Sequence, residues 1–580
     1  MGLIDIFSKF ELHYEGIPMR NLKRLLVGLV AVFLYSCENQ EATKEERPNI
    51  VFIMSDDHAY QAISAYSDHL IETPNIDRIA EMGMLFTNAT VTNSICAPSR
   101  ATILTGLHSH LNGKIDNDFP FDTTNVTFPQ LFQDAGYQTA MFGKLHFGNN
   151  PKGFDQFKIL PGQGAYYNPD FITKNEGNIQ AEGYVTDIIT DMTLDWLENE
   201  REEEDPFLLF YLHKAPHREW LPAERHIAEF TDRTFVEPPT LFDDYSGRGR
   251  AAKEAEMNLL KHMNWAGDSK IYPEVMDELG IPDASGWDKG AFEREVGRLN
   301  ASQRANWDAV YGPMNEEFKA NYADMSEEDL MRWRYQRYMQ DYLGTIQAVD
   351  ENVGRVLDYL EENNMMENTI IVYTSDQGFY LGEHGWFDKR FVYDESFKTP
   401  LLVAWPGKVQ AGSKSTEMVQ NLDFAQTFLD AAGIPAPDQM QGESLVPLLT
   451  GNTEKWTRDA VYYHYYEYPS VHMVKRHYAI VTEEYKLTHY YFDVDEWELI
   501  DRLNDPMELK NVYDDPAYAE IKEELHTKLE GLREKYGDNA QISQQYLDRY
   551  LDRLEETQQF GAANKEVTRK ILEDRKKQDE

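Results

Sequence analysis

Four apolar runs, each breaking off into polar and chargeable residues, restrict what this chain can fold into. They are Asn49-Ile50-Val51-Phe52-Ile53-Met54, Gln138-Thr139-Ala140-Met141-Phe142-Gly143, Pro206-Phe207-Leu208-Leu209-Phe210-Tyr211-Leu212 and Thr369-Ile370-Ile371-Val372-Tyr373-Thr374. Continuous rather than alternating hydrophobicity predicts strands covered on both faces, as in a parallel sheet between helices. The residues that follow are Ser55-Asp56-Asp57-His58, Lys144-Leu145-His146, His213-Lys214-Ala215-Pro216-His217 and Ser375-Asp376-Gln377-Gly378. In an open α/β sheet the ligand site lies outside the carboxyl ends of the strands, so this recurrence places one site there. Alternation along the second run puts Lys144 and His146 on one face. Adjacent carboxylates such as Asp56 and Asp57 are costly at a buried strand end unless something cationic holds them. Met339, Tyr342, Ile346, Val349, Val353, Val356 and Leu360 recur at three and four residues and predict a long helix over 331–362, its apolar face packed in the core. Residues 242–325, acidic and containing Gly and Trp, carry no pattern that assigns them.

Cys96-Ala97-Pro98-Ser99-Arg100-Ala101-Thr102-Ile103-Leu104-Thr105-Gly106 reads as a short helix. Pro98 suits a first turn and Gly106 a stop. Cys96 then sits at a helix N-terminus, where free N–H groups favour negative charge, with Arg100 one turn on along the same face. Cys96-x-Pro98-Ser99-Arg100 followed by Leu104-Thr105-Gly106, with Gly113 beyond, resembles the signature of type I sulfatases. The resemblance spans nearly all of residues 49–515.

The resemblance implies an α/β fold, a large mixed β-sheet flanked by helices, with a smaller C-terminal α+β subdomain containing an antiparallel sheet. It implies that a sulfatase-maturing enzyme oxidises Cys96 to formylglycine. Asp56, Asp57, Asp376 and Gln377 would bind one ion together with that group, and oxygen-only ligands point to Ca²⁺. Gln377 departs from the pattern, since many members have asparagine there. Arg100, Lys144, Lys389, His146 and His217 would surround the sulfate. The hydrated aldehyde would attack sulfur, His217 helped by Lys389 would protonate the departing sugar alcohol, and His146 would take the proton that lets sulfate leave. The phrases running from Asp376 to Arg390 and from Tyr462 to Tyr468 look like bacterial polysaccharide sulfatases, with an algal, ulvan-like polymer the expected substrate and an N-acetylglucosamine 6-sulfate glycosaminoglycan the alternative. His472, Lys475, Arg476 and His477 form a basic cluster that would bind a substrate carboxylate or second sulfate. The rivals are a formylglycine-type phosphodiester or phosphonate hydrolase, and an inactive sulfated-glycan-binding lipoprotein whose Cys96 stays a thiol.

The chain has 56 basic and 100 acidic residues and a net charge of −44, which excludes nucleic acid as a partner because no basic surplus is available to release counterions. An anionic substrate fits that charge in a screening, saline medium. Two cysteines imply no disulfide framework. Residues 1–37, with Met19 an alternative start, read as a signal peptide ending in the lipobox Leu34-Tyr35-Ser36-Cys37. Residues 38–47 form a polar tether, 48–455 the catalytic domain, and 456–580 a C-terminal subdomain with terminal helices. The protein is expected to be exported, either periplasmic or an outer-membrane lipoprotein facing the periplasm or cell surface, with the lipid on Cys37 its sole membrane contact.

Overall fold

The four apolar runs form β1 (Asn49–Ser55), β2 (Gln138–Lys144), β3 (Phe207–Leu212) and β4 (Thr369–Ser375), and every residue but the first of β1 and of β2 is buried. The computed structural model describes residues 47–67, 69–283, 287–557 and 564–579; Cys37 and the lipobox lie outside them. Among the described residues, ten strands join one mixed sheet in which β4, β1, β3 and β2 are neighbours in that order and parallel. Ser55 pairs with Ser375, Met54 with Leu212 and Leu212 with Gly143, so the four carboxyl ends stop side by side. Shorter strands extend both edges, Met84–Phe86, Leu401–Ala404 and Ser413–Ser415 on one side and Gln156–Leu160, Asp170–Thr173 and Asn178–Gln180 on the other.

Each face of β1 is covered by a different layer. Val51 and Ile53 pack in the cluster that holds Val349, Val353 and Leu357 of the long helix α2 (Glu327–Glu362). Ile50, Phe52 and Met54 join Phe128, Phe424 and Phe428 on the other face. Each such side chain removed from water contributes about 2 kcal/mol. α2 starts before the expected residue 331 because Ser326 caps it, its side chain accepting from the Asp329 N–H. It also does more than pack. The Tyr342 hydroxyl donates to the Asp57 carbonyl at 2.7 Å and accepts from the Ala59 N–H at 2.8 Å, fixing the turn after β1.

The C-terminal subdomain is a four-stranded antiparallel sheet in chain order, β5 (Ala460–Tyr465), β6 (His477–Thr482), β7 (Tyr485–Tyr490) and β8 (Glu496–Asp501), covered by the helix Ala519–Tyr536. Residues 242–325, unassigned from sequence, contain the helices Arg250–Glu254, Pro273–Leu279, Asp288–Val296 and Ala301–Asn321. Among the described residues no helix is long and apolar enough to cross a membrane.

Candidate active site

Cys96 opens the helix α1 (Cys96–Thr105), which ends, as the sequence predicts, on Gly106 in the left-handed conformation with φ 63°. The Ala97 N–H is held by Asn117 Oδ1 at 3.0 Å. The Ser99 hydroxyl donates to the Asp376 carbonyl and accepts from Asn421 Nδ2, which ties α1 to the end of β4. Cys96 is fully buried, with Sγ 3.3 Å from Asp56 Oδ1. Burial pushes its thiol up, against the pull of Lys389. A thiol held protonated is a poor nucleophile.

Around it the strand ends deliver charge in pairs. Asp56, Asp57 and Asp376 are all fully buried. Lys144 Nζ closes on Asp56, Lys389 Nζ lies 2.6 and 2.7 Å from the two oxygens of Asp57, and Arg100 holds Asp376 through Nε and Nη2 at 2.9 Å each. The three cations expected to face a sulfate are thus also the counter-ions of the acidic cluster: Lys144 comes from the end of β2, Arg100 from α1 and Lys389 from the loop after β4. Asp57 is held in the left-handed region at φ 65° by Tyr342 and by its N–H on Asp376 Oδ1 at 3.1 Å. Burial, partly offset by Lys389 and reinforced by Asp376, pushes its carboxyl up to about 6.

Two glycines make this packing possible. A Cβ on Gly143, which has φ 108°, would stand 1.7 Å from the Leu212 carbonyl oxygen. One on Gly378, directly after Gln377, would stand 2.2 Å from that of Glu395.

One carboxylate oxygen from each of Asp56, Asp57 and Asp376 lies within 4.8 Å of the others. Gln377 donates through Nε2 to Asp57 at 2.5 Å, while its buried Oε1 finds no hydrogen-bond partner among the described residues. Three converging carboxylates and an orphaned amide oxygen suit a hard divalent cation better than zinc, which favours nitrogen and sulfur.

His217 Nδ1 lies 2.5 Å from the Arg218 carbonyl, so it carries the hydrogen and leaves Nε2, 3.8 Å from Asp57 Oδ2, facing the site. Burial, then Lys144, Lys389 and Lys214, push this imidazole well below its usual range. These surroundings disfavour the protonated ring. Lys389 is shifted upward and stays charged despite burial, because Asp57 lies beside it. His146 does not follow Lys144 by strand alternation, since β2 ends at Lys144 and His146 takes the left-handed conformation at φ 65°. Its buried Nδ1 has no partner among the described residues, and burial followed by Lys144 pushes its ring down.

The basic cluster divides. Lys475 is buried against Tyr468, Asp493 and Glu254 at 2.7, 2.6 and 3.0 Å. Arg476 is fully buried with Nε on the Tyr468 carbonyl. His477 sits among Tyr463, Tyr465 and Tyr490, and burial holds it at about 3. All three are buried, but not equally paired: Arg476 Nη1 and Nη2 and His477 Nε2 have no hydrogen-bond partner among the described residues. His472 alone reaches the site loop, with Nε2 3.3 Å from Asp388 Oδ2 and 3.3 Å from Arg218 Nη1. Arg218 and Asp388 went unnoticed as site residues although each adjoins one, at His217 and Lys389. Asp268, which holds Arg218, belongs to the unassigned 242–325 region and no local motif marks it.

A family model described as Sulfatase matches residues 48–434, and one described as N-sulphoglucosamine sulphohydrolase, C-terminal, matches residues 382–535. The chain is 47% identical over 529 residues to an N-acetylglucosamine-6-O-sulfatase of Bacteroides thetaiotaomicron, covering 90% of this chain and 93% of the relative. It is 23% identical over 544 residues to an ulvan-active sulfatase of Formosa agariphila, covering 90% and 89%. A solved structure described as a complex with its substrate D-glucosamine-2-N,6-O-disulfate superimposes with a TM-score of 0.81 at 46% identity, covering 86% of this chain and 99% of that one.

Proposed function

This chain belongs to the sulfatase family, and from that premise we propose that it hydrolyses the 6-O-sulfate ester of glucosamine units in glycosaminoglycan oligosaccharides. That it is a sulfuric ester hydrolase acting on sulfated sugars follows from the family and its near relative. The finer reading is carried by one observation, the identity of nearly half with an N-acetylglucosamine-6-O-sulfatase along almost the whole length of both chains. The ulvan-like substrate expected from sequence has the support of a much more distant relative. It yields here to the glycosaminoglycan alternative.

Formylglycine made from Cys96 and one Ca²⁺ held by Asp56, Asp57, Asp376 and Gln377 would supply an acidified hydroxyl as the nucleophile. The protein's own groups do the rest. Arg100 and Lys144 aim positive charge at the sulfuryl oxygens. Lys389, which stays protonated, gives the proton to the departing sugar hydroxyl through or beside His217, whose Nε2 faces the site because Nδ1 is held by the Arg218 carbonyl. His146 accepts the proton that frees sulfate. An unmodified Cys96 would lack the second hydroxyl whose loss of a proton expels sulfate, so this mechanism needs the matured residue. His472, Asp388 and Arg218, which contact one another beside Lys389 and His217, would face the sugar. A lipid on Cys37 would hold the exported protein at the outer membrane.

Free sulfate assayed on N-acetylglucosamine 6-sulfate and heparan-derived oligosaccharides, beside ulvan, carrageenan and fucoidan oligosaccharides, tests the substrate. Release from the glucosamine series is expected; release only from the algal series overturns the reading. Intact-peptide mass spectrometry of the Cys96 segment separates the enzyme from a binding protein, which would show the unmodified thiol.

A further inference from the structure

The first strand of the C-terminal sheet touches both halves of the active site. Tyr463, in β5, is fully buried. Its hydroxyl accepts from the Ser94 N–H at 3.2 Å and donates to the Arg390 carbonyl at 2.5 Å. Ser94 stands two residues before Cys96, and Arg390 one residue after Lys389. A single oxygen therefore bridges the turn that carries the nucleophile and the loop that carries the proton donor. Two further contacts run in parallel. The His464 N–H donates to the Thr92 carbonyl at 3.0 Å. Glu467 accepts from the Asn117 N–H at 3.0 Å and pairs with Arg390, while Asn117 holds the Ala97 N–H.

We propose that the Tyr463 hydroxyl is a positioning group that keeps the Cys96 turn and the Lys389 loop in register, so that the C-terminal sheet is part of the catalytic apparatus rather than an appendage. The proposal rests on the proton-donating role assigned to Lys389 above. The tyrosine ring is held independently, against Phe397 at 5.6 Å and His477 at 5.4 Å between centroids, so removing the oxygen leaves the packing in place. A small displacement between reacting groups is enough to slow an enzyme substantially.

Tyr463→Phe in the full-length, matured protein is the test. Both an aryl sulfate and N-acetylglucosamine 6-sulfate need the nucleophile, but only the sugar alcohol needs a proton to leave, so their ratio reports the register. We expect kcat on the sugar sulfate to fall about tenfold, with KM within about twofold and a smaller loss on the aryl sulfate. Hydrogen exchange should quicken in the peptides containing Ser94 and Arg390. Glu467→Gln, which keeps an acceptor for Asn117 but removes the charge facing Arg390, should shift the same ratio in the same direction. Equal losses on both substrates, or unchanged exchange at Ser94, would overturn the proposal. A wild-type protein inactive on both sulfates would overturn the function above instead, and exchange at Ser94 would then decide this inference alone.

Discussion

Lys144 closes on Asp56, Lys389 on Asp57, and Arg100 on Asp376 with Asp56 3.8 Å away, so the centre of the site is a balanced cluster of three buried acids and three buried bases. Removing one member of such a pair leaves an uncompensated charge. The acids also converge on one point, and a cation bound there should stabilise the fold by mass action. Chelation is therefore expected to lower Tm and stop turnover, with Ca²⁺ restoring both; stoichiometric zinc in elemental analysis, with activity lost on its removal, would contradict the assignment. Cys96→Ala should fold normally and lose about 10⁴-fold or more in kcat, since no other buried group can replace the nucleophile. Appreciable sulfatase activity in that variant would sink the maturation reading. His217→Ala should slow sugar sulfates more than aryl sulfates, and equal losses would argue for a structural role. Most of this cluster was legible in the sequence, because a charged residue at the end of a continuous apolar run is anomalous by itself. The burial of Lys475 and His477 was not legible, because their partners, Glu254 and Asp493 for one and an aromatic shell for the other, meet them only in the folded chain.

At the level of strands and helices, the four central strands read correctly because burial on both faces leaves an unbroken apolar run. The fourth strand of the C-terminal sheet was hidden. Glu496-Trp497-Glu498-Leu499-Ile500-Asp501 is half acidic, and buried Glu498 accepts from the hydroxyls of Tyr393 at 2.8 Å and Tyr490 at 3.4 Å, partners that local sequence does not mark. Edge strands such as Met84–Phe86, Gln156–Leu160 and Asn178–Gln180, three to five residues each, offer too little pattern to separate from loop. Close approach of β2 and β3 at Gly143 gives a sharper test of the architecture. Gly143→Ala should destabilise by about 3 kcal/mol or more in urea unfolding, because its Cβ would meet backbone rather than a movable side chain. Gly433→Ala, at φ 68° in open space, pays only for the left-handed backbone and should cost about 1 kcal/mol. Similar losses in the two variants would mean that the strands can part at Gly143.

Across the whole molecule, charge acts at two ranges. Buried histidines limit acid stability: burial holds His58 at about 4 and His108 and His213 at about 3, against a usual 6.5. A base whose folded pKa is depressed contributes stability that is complete above 6.5 and is lost as pH falls towards the folded value. Glu383 and Glu508, pushed up to about 7 by burial, have the opposite sign and weaken the fold as pH rises from 4.5 through 7. His213→Phe, whose ring nitrogens have no partners among the described residues, should therefore recover about 2 kcal/mol of the stability lost between pH 6.5 and 5. An unchanged gap between the two pH values would rule His213 out as a source of acid sensitivity. The long-range part is the net charge of −44, which opposes an anionic substrate that the cations of the site attract locally. The screening length is about 30 Å at 0.01 M salt and about 8 Å at 0.15 M. At low salt the approaching oligosaccharide meets the field of the whole protein; at higher salt it meets only the groups lining the pocket. kcat/KM for a multiply sulfated heparan oligosaccharide should accordingly rise with salt over this range, and that for a singly charged monosaccharide sulfate should rise less. A fall for the oligosaccharide would mean that the local cations dominate even at long range, and that the acidic surface has no part in substrate capture.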